Sequence, residues 1–226
     1  MLNKILVLSL LITSLFSDSV LTLKTKKIES KFLKANLIKI SNIDSSIQVD
    51  LVNSNANNNF FKLNFYGNLN ECYLQSEVAQ KLKKAQYFLK QKNQNLSLLL
   101  MDCARPRSVS WQMYNELKDT PFKRYVADPT TGSMHNYGSA VDITIIDAHG
   151  SHLDMGMNPF YKNRLQLLYA LTKNKLSSTL SKEQKSNRLL LKSVMEKAGF
   201  KSIQLEWWHF NGFSKEVIRA KYKIIE

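Results

Sequence analysis

The four histidines are the side chains of this chain best suited to bind a metal or to move a proton, and two of them have informative neighbours. His135 lies seven positions before Asp142, and Gly138 between them permits a tight turn that joins a loop imidazole to a strand carboxylate. His209 ends the segment Glu206-Trp207-Trp208-His209. Together these side chains offer two nitrogens and one oxygen, which suits a tetrahedral catalytic zinc that keeps its fourth position for water.

A site of this kind also needs a proton acceptor that does not bind the metal. Zinc lowers the pKa of a bound water to about 7, but another group must still take the proton. Glu206 is the candidate because it lies three residues before His209. An extended strand would point these two side chains to opposite faces, so a shared pocket requires a turn or a bulge here. Each histidine, considered alone, could instead be a hydrogen-bonded structural residue.

The joint pattern is far more specific than either half. S-x-H-x-x-G-x-A-x-D, followed at a distance by E-x-W-H, resembles the signature of zinc peptidases that include D-alanyl-D-alanine dipeptidases, D,D-carboxypeptidases and, in fold, the hedgehog signalling domain. The chain is most similar to the D-alanyl-D-alanine dipeptidases (peptidase family M15), over roughly residues 50–210. Further similarity lies in residues 59–67, 72–74, 102–106, 155–156 and 206–209.

This resemblance implies one zinc ion per chain, held by His135, Asp142 and His209, with Glu206 as catalytic base. It also implies that Arg105 stabilises the transition state, because a fixed guanidinium can balance the negative charge that builds up on the carbonyl oxygen. Arg107 is the competing choice for that role.

The chain departs from the family pattern at two places. Ala104 stands before the Arg-Pro pair, where the family often has tyrosine. Residues 155–156 match the family's Met-Gly, but residues 158–161 hold no acid where the family usually has Phe-Asp, whose carboxylate is associated with the substrate's free amino terminus. Asp154, just before the motif, is an alternative partner for that amine.

The function implied is hydrolysis of D-alanyl-D-alanine to two D-alanines by zinc-activated water. The first alternative is a D,D-carboxypeptidase or L,D-endopeptidase of the same superfamily, acting on longer peptidoglycan peptides, which the missing acid favours. The second is a zinc-containing binding module without catalysis, by analogy with the hedgehog domain. Intact Glu206 and Arg105 argue against the second alternative.

The elements that would position these residues can also be read from the pattern. Alternating apolar residues predict a strand over residues 140–146 that carries Asp142, and a continuous apolar run predicts a buried strand over residues 96–101. A further strand over residues 203–205 is expected to lead into Glu206. Helices are expected over residues 76–89, 108–117 and from a capping box at Ser181 to Gly199. Helices and strands alternate without a regular rhythm, which predicts one α+β domain with a mainly antiparallel sheet and flanking helices.

The N-terminal part is expected to be a leader followed by an arm. Residues 5–16 form an apolar run after Lys4, too short for a membrane span, which predicts a removable signal peptide over residues 1–19 and a periplasmic or secreted protein. Residues 20–49 are expected to form an arm with one or two edge strands, and residues 50–226 the peptidase domain. The segment over residues 173–185 is expected to be a polar connection.

Charge and cysteine usage indicate the partners and the compartment. The formal net charge of +14 favours anionic partners, and in an exported protein these would be envelope polymers. The chain shows no motif of a nucleic-acid-binding module, so the expected substrate is a small D-amino-acid dipeptide or a peptidoglycan peptide. Cys72 and Cys103, the two cysteines, could form a disulfide or remain as free buried thiols.

Overall fold

A central five-stranded sheet supports the chain's chemistry-bearing residues. The computed structural model describes residues 2–120, 122–123, 126–156, 180–204 and 206–226, with side chains from residue 18 onward. The predictions for residues 158–161, for 173–179 and for Leu205 therefore lie outside the described residues. In these ranges the helices are α1 (Leu2–Lys34), α2 (Ser76–Lys92), α3 (Arg107–Leu117), α4 (Lys182–Lys197) and α5 (Lys215–Lys221). The strands are β1 (Ile38–Lys39), β2 (Gln48–Val49), β3 (Tyr73–Leu74), β4 (Ser97–Asp102), β5 (Ala140–Ile146), β6 (Lys201–Ser202) and β7 (His209–Asn211).

The sheet has the order β2-β4-β5-β7-β6, and β1 and β3 pair separately. The β2–β4 pairing is parallel, whereas β4–β5, β5–β7 and β6–β7 are antiparallel. The prediction of an α+β domain with a mainly antiparallel sheet is confirmed. All seven residues of β5 are buried, because this strand lies at the centre of the sheet.

The helices cover the sheet with apolar faces that follow the helical period. On α2, the residues Val78, Leu82, Ala85 and Leu89 are buried at spacings of three and four. The capping box predicted at Ser181 is present, since its hydroxyl accepts from the backbone N–H of Gln184, and α4 begins at the next residue. These helices join β4 and β5 in one core cluster.

Two local predictions differ from the structure. The strand expected over residues 203–205 is formed instead by Lys201–Ser202, since Phe200 enters the core directly after Gly199 and the chain pairs there with β7. The expected arm over residues 20–49 contains two short strands, β1 and β2, but the prediction did not include a helix, and α1 covers the first part of the arm up to Lys34.

Helix α1 is part of the packed domain over its C-terminal half. Ile28 and Phe32 are buried in the core, and Tyr73 donates a hydrogen bond of 2.6 Å from its hydroxyl to Glu29. Thr25 contacts the loop that contains Tyr66 and Gly67, where a side chain at Gly67 would collide with the helix backbone. In the part of the chain that is described, no helix has the length and apolar character required to cross a membrane.

Candidate metal centre

Two paired strands and a short helical turn bring the predicted ligands together. Asp142 on β5 lies directly opposite His209 on β7 in the antiparallel register. His135 belongs to a 3-10 helix, Met134–Tyr137, at whose start the Ser133 N–H donates to Asn136 Oδ1 over 2.8 Å. Gly138 ends this turn with a φ of 62°, a conformation that glycine adopts without strain, and β5 begins two residues later.

Three donor atoms from these residues form a compact triangle. His135 Nε2 lies 3.2 Å from His209 Nδ1 and 3.4 Å from Asp142 Oδ1, while His209 Nδ1 lies 3.0 Å from Asp142 Oδ1. Nitrogen and oxygen ligands at about 2.0–2.2 Å from a tetrahedral zinc are about 3.3–3.5 Å apart. All three side chains are buried, and the group has the composition and spacing of a metal site.

In each imidazole, the outer nitrogen, which faces away from the triangle, lies beside a hydrogen-bond acceptor. The inner nitrogen, which belongs to the triangle, is therefore free to bind a metal. The backbone carbonyl of Cys103 lies 2.7 Å from His135 Nδ1, and Asn211 Oδ1 lies 3.0 Å from His209 Nε2. Carbonyl oxygens only accept hydrogen bonds, so both outer nitrogens must carry the proton. The inner nitrogens then present lone pairs to each other and to the Asp142 carboxylate. A cation between them resolves this arrangement, so the residues present fit a metal ion.

The Cys103 carbonyl is fixed in turn by a covalent link. Cys72 and Cys103 form a disulfide with a Cα–Cα distance of 5.7 Å, and Cys72 directly precedes β3. The two possibilities left open by the sequence are thereby resolved in favour of the disulfide. It holds the end of β4, and hence the acceptor of His135, against β3.

Glu206 reaches the same site because the chain turns between it and His209. The His209 N–H donates to the Glu206 carbonyl over 3.2 Å, which closes a tight turn through the two tryptophans. Glu206 Oε2 consequently lies 4.0 Å from His209 Nδ1, on the same side of the chain. Burial raises the pKa of the Glu206 carboxyl above its usual value, although nearby His209 acts in the opposite direction.

Arg105 lies beside the triangle and is held by a buried carboxylate. Asp102, which is fully buried, accepts a hydrogen bond from the Arg105 guanidinium and further bonds from Asn53 Nδ2 (3.0 Å), the Tyr66 hydroxyl (2.8 Å) and the Cys103 N–H (3.0 Å). Burial and the charge of Asp102 both raise the Tyr66 pKa well above its usual value, so this hydroxyl stays protonated as a donor. Among the described residues, Arg105 Nε has no hydrogen-bond partner.

This supporting network was missed at the sequence level. Asp102 and Tyr66 both lie in segments that carry the family resemblance, and that was the available signal. Asn53 gave no signal, because its partner Asp102 is distant in sequence. Asn211 gave none either, because its partner His209 is itself a residue of the site.

The other sequence candidates lie elsewhere. Arg107 forms an ion pair with Glu226 at the surface, so it does not compete with Arg105. His149 and His152, the two remaining histidines, are exposed. The Asp154 carboxylate accepts hydrogen bonds from the Gly156 N–H and from Gln184 of α4, and it does not line the cavity beside the triangle. Ala104 is buried in the core cluster rather than in the cavity wall.

A cavity of about 540 Å³ opens onto the triangle. Arg105, Glu206 and Trp208 line it near the three candidate ligands. An apolar part of the wall is formed by Phe60, Phe61, Met113, Leu117 and Phe122. A cavity that is lined by a possible metal-binding triad, a partly exposed carboxylate and an arginine is typical of the active sites of hydrolases.

Comparison with known proteins identifies the family within that class. A family model described as D-ala-D-ala dipeptidase, peptidase M15, matches residues 34–224, and the chain belongs to this family. The D-alanyl-D-alanine dipeptidase of Escherichia coli (strain K12) is 34% identical over 115 residues, which cover 51% of this chain and 54% of that protein. The dipeptidase of Enterococcus faecium is 28% identical over 169 residues, covering 65% and 79%. The match thus spans about half the length of the Escherichia coli protein.

Proposed function

We propose that this chain is a zinc-dependent dipeptidase that hydrolyses D-alanyl-D-alanine to two D-alanines. The observation that carries the proposal is the convergence of His135 Nε2, Asp142 Oδ1 and His209 Nδ1 within 3.4 Å of one another, with both imidazoles fixed in the tautomer that binds a metal. Family membership and the names of the relatives supply the substrate. One zinc per chain would be held by these three residues.

The chain's own groups divide the remaining work. Zinc, when bound, acts as a Lewis acid that lowers the pKa of water at its open position to about 7. Glu206 accepts the proton of the attacking water and passes it to the leaving amine. Arg105, held by Asp102, donates hydrogen bonds to the carbonyl oxygen as negative charge develops on it. The Arg105 side chain is mostly buried, which strengthens its hydrogen bonds because little water competes with them.

We also propose that the protein acts outside the cytoplasm, after removal of residues 1–19, on dipeptides that derive from peptidoglycan. The apolar run over residues 5–16 supports an export signal. The Cys72–Cys103 disulfide supports an oxidising compartment. Loss of residues 1–19 would leave Ile28 and Phe32, the buried part of α1, in place.

A D,D-carboxypeptidase or L,D-endopeptidase activity on longer peptides is the second candidate. The size of the cavity favours it, since about 540 Å³ exceeds the space that a dialanine needs. At the ~30 Å³ that a water molecule occupies in the liquid, the eleven non-hydrogen atoms of dialanine would take up about 330 Å³.

Replacement of the proposed base tests the assignment. We expect Glu206→Gln to lower kcat by about 10²- to 10⁴-fold, measured as D-alanine released from D-alanyl-D-alanine, while the zinc content stays at one per chain. Glu183→Gln is the matched control, because Glu183 is exposed in the first turn of α4 and should leave kcat unchanged. Full activity of the Glu206→Gln variant would rule out this residue as the base.

A further inference from the structure

Asn136 is a fully buried asparagine in the turn that carries the candidate metal ligand His135. Both hydrogens of its Nδ2 are used, since this nitrogen donates to the Arg105 carbonyl over 2.8 Å and to the Ser110 hydroxyl over 2.8 Å. Its Oδ1 accepts from the Ser133 N–H over 2.8 Å. A side-chain amide has two donor hydrogens and one acceptor oxygen, so these three bonds hold the Asn136 side chain in one orientation.

The backbone of Arg105 is attached to this turn on both sides of its Cα atom. The Arg105 N–H donates to the His135 carbonyl over 3.0 Å, and the Arg105 carbonyl accepts from Asn136 Nδ2. Two consecutive residues of the turn therefore hold one residue of the segment that follows β4. Because the same turn carries a candidate metal ligand, these two hydrogen bonds fix the separation between the arginine and the metal triad.

Asn136 and Asp102 hold different parts of Arg105. Asp102 binds the guanidinium and so orients the end of the side chain. Asn136 binds the backbone and so sets the point from which that side chain extends. Asn136 is 0% exposed and does not line the cavity, so it influences a substrate only through other residues. Among its side-chain partners, Arg105 and Ser133 line the cavity and Ser110 does not.

We infer that Asn136 is a positioning residue, which sets the distance between Arg105 and the metal ligands. This inference rests on the proposed peptidase function, in which Arg105 donates to the carbonyl oxygen that becomes negative in the transition state. Misplacement of a catalytic group by about 1 Å can lower the rate by about 10²-fold. Loss of the Asn136 amide should therefore weaken binding of the transition state. Zinc should stay bound, since the outer nitrogen of His135 is held by the Cys103 carbonyl and not by Asn136.

The test is a cycle in which Asn136→Ala and Arg105→Ala are made singly and together. The zinc-loaded proteins are titrated with a phosphinate analogue of D-alanyl-D-alanine, whose tetrahedral anion mimics the transition state. We expect Asn136→Ala to weaken binding of the phosphinate by about 10- to 100-fold when Arg105 is present. In the Arg105→Ala background the same change should have no further effect, because the group that Asn136 positions is absent. The kcat/KM for D-alanine release should follow the same pattern.

Ser110→Ala is the matched control. It removes the other acceptor of Asn136 Nδ2, in equally buried surroundings, and leaves the hydrogen bond to the Arg105 carbonyl in place. We expect it to lower the midpoint of thermal unfolding, as Asn136→Ala does, but to keep the wild-type affinity for the phosphinate. Asn136→Ser is a milder second variant, which also lacks the amide and should repeat the pattern of Asn136→Ala.

The binding measurement separates this inference from the proposed function. Equal losses of affinity in the two Arg105 backgrounds would indicate a general structural role, or an effect through Ser133, and would overturn the positioning role while the peptidase assignment stands. Unchanged affinity in the Asn136→Ala protein would do the same. Joint dependence of phosphinate binding on Asn136 and Arg105, without any release of D-alanine by the wild-type protein, would overturn the peptidase assignment alone. A wild-type protein that neither bound the phosphinate nor released D-alanine would overturn both.

Discussion

Arg105 owes its position to Asp102, a fully buried carboxylate three residues earlier in the chain. Asp102 also accepts hydrogen bonds from Tyr66 and Asn53, which belong to the loop over residues 53–66. A buried charge is stable only when it is paired and hydrogen-bonded, so each of these partners helps to keep Asp102 ionised. The orientation of Arg105 therefore depends in part on Asp102 and Tyr66, which do not line the cavity.

Replacement of Asp102 tests this dependence. We expect Asp102→Asn to lower the free energy of unfolding by about 3 kcal/mol, because it leaves the charge of Arg105 without its partner. It should also lower kcat, since the guanidinium loses its fixed position. Tyr66→Phe is the graded control: it removes one donor and should cost about 1 kcal/mol. Urea unfolding and D-alanine release measure the two effects, and an Asp102→Asn protein with unchanged stability and kcat would refute the positioning role.

The residue types of the site could be anticipated from sequence, but their mutual geometry could not. Histidines and acids in a recognisable pattern identified the three candidate ligands and Glu206, and the structure brings them together. The turn that lets Glu206 and His209 share one pocket was an open question, because a strand would have separated them. Asn211 escaped notice since an asparagine beside a strand histidine has no specific pattern.

At the scale of elements, strand β5 was predicted with its observed bounds, whereas the segment of α1 was predicted as a signal peptide followed by an arm. The alternation in residues 140–146 was sufficient to predict the strand, although the structure buries all seven of its residues. The sequence of residues 20–34 is rich in lysine and shows little apolar periodicity. Of its side chains, Ile28 and Phe32 are buried in the core. Tertiary packing, rather than local pattern, therefore determines that this segment is helical.

A pair of neighbouring substitutions tests whether α1 belongs to the folded domain. Phe32 is 1% exposed and Leu33 is 59% exposed, although both are large apolar residues of the same helix. We expect Phe32→Ala to lower the free energy of unfolding by about 3–5 kcal/mol, because it opens a cavity in the core. Leu33→Ala should change it by less than about 0.5 kcal/mol. Thermal or urea unfolding of the protein without residues 1–19 measures both, and equal small effects would show that the helix does not pack as described.

At the scale of the whole molecule, the fold class could be predicted from the mixture of helical and strand patterns in the sequence. The order of the strands in the sheet could not be predicted. Strands of two or three residues, such as β6 and β7, carry too little sequence to reveal their partners. The sheet nevertheless explains why the site is rigid: Asp142 and His209 are neighbours across a backbone ladder, and the disulfide holds the acceptor of His135.

The central claim is that three side chains from separate segments hold one catalytic zinc ion. The most direct measurement is the zinc content of the purified protein, taken together with D-alanine release from D-alanyl-D-alanine before chelation, after chelation and after zinc is restored. We expect one zinc per chain, loss of release when the metal is removed, and recovery when one equivalent of zinc is added back. A metal-free protein that released D-alanine at the full rate would contradict the account.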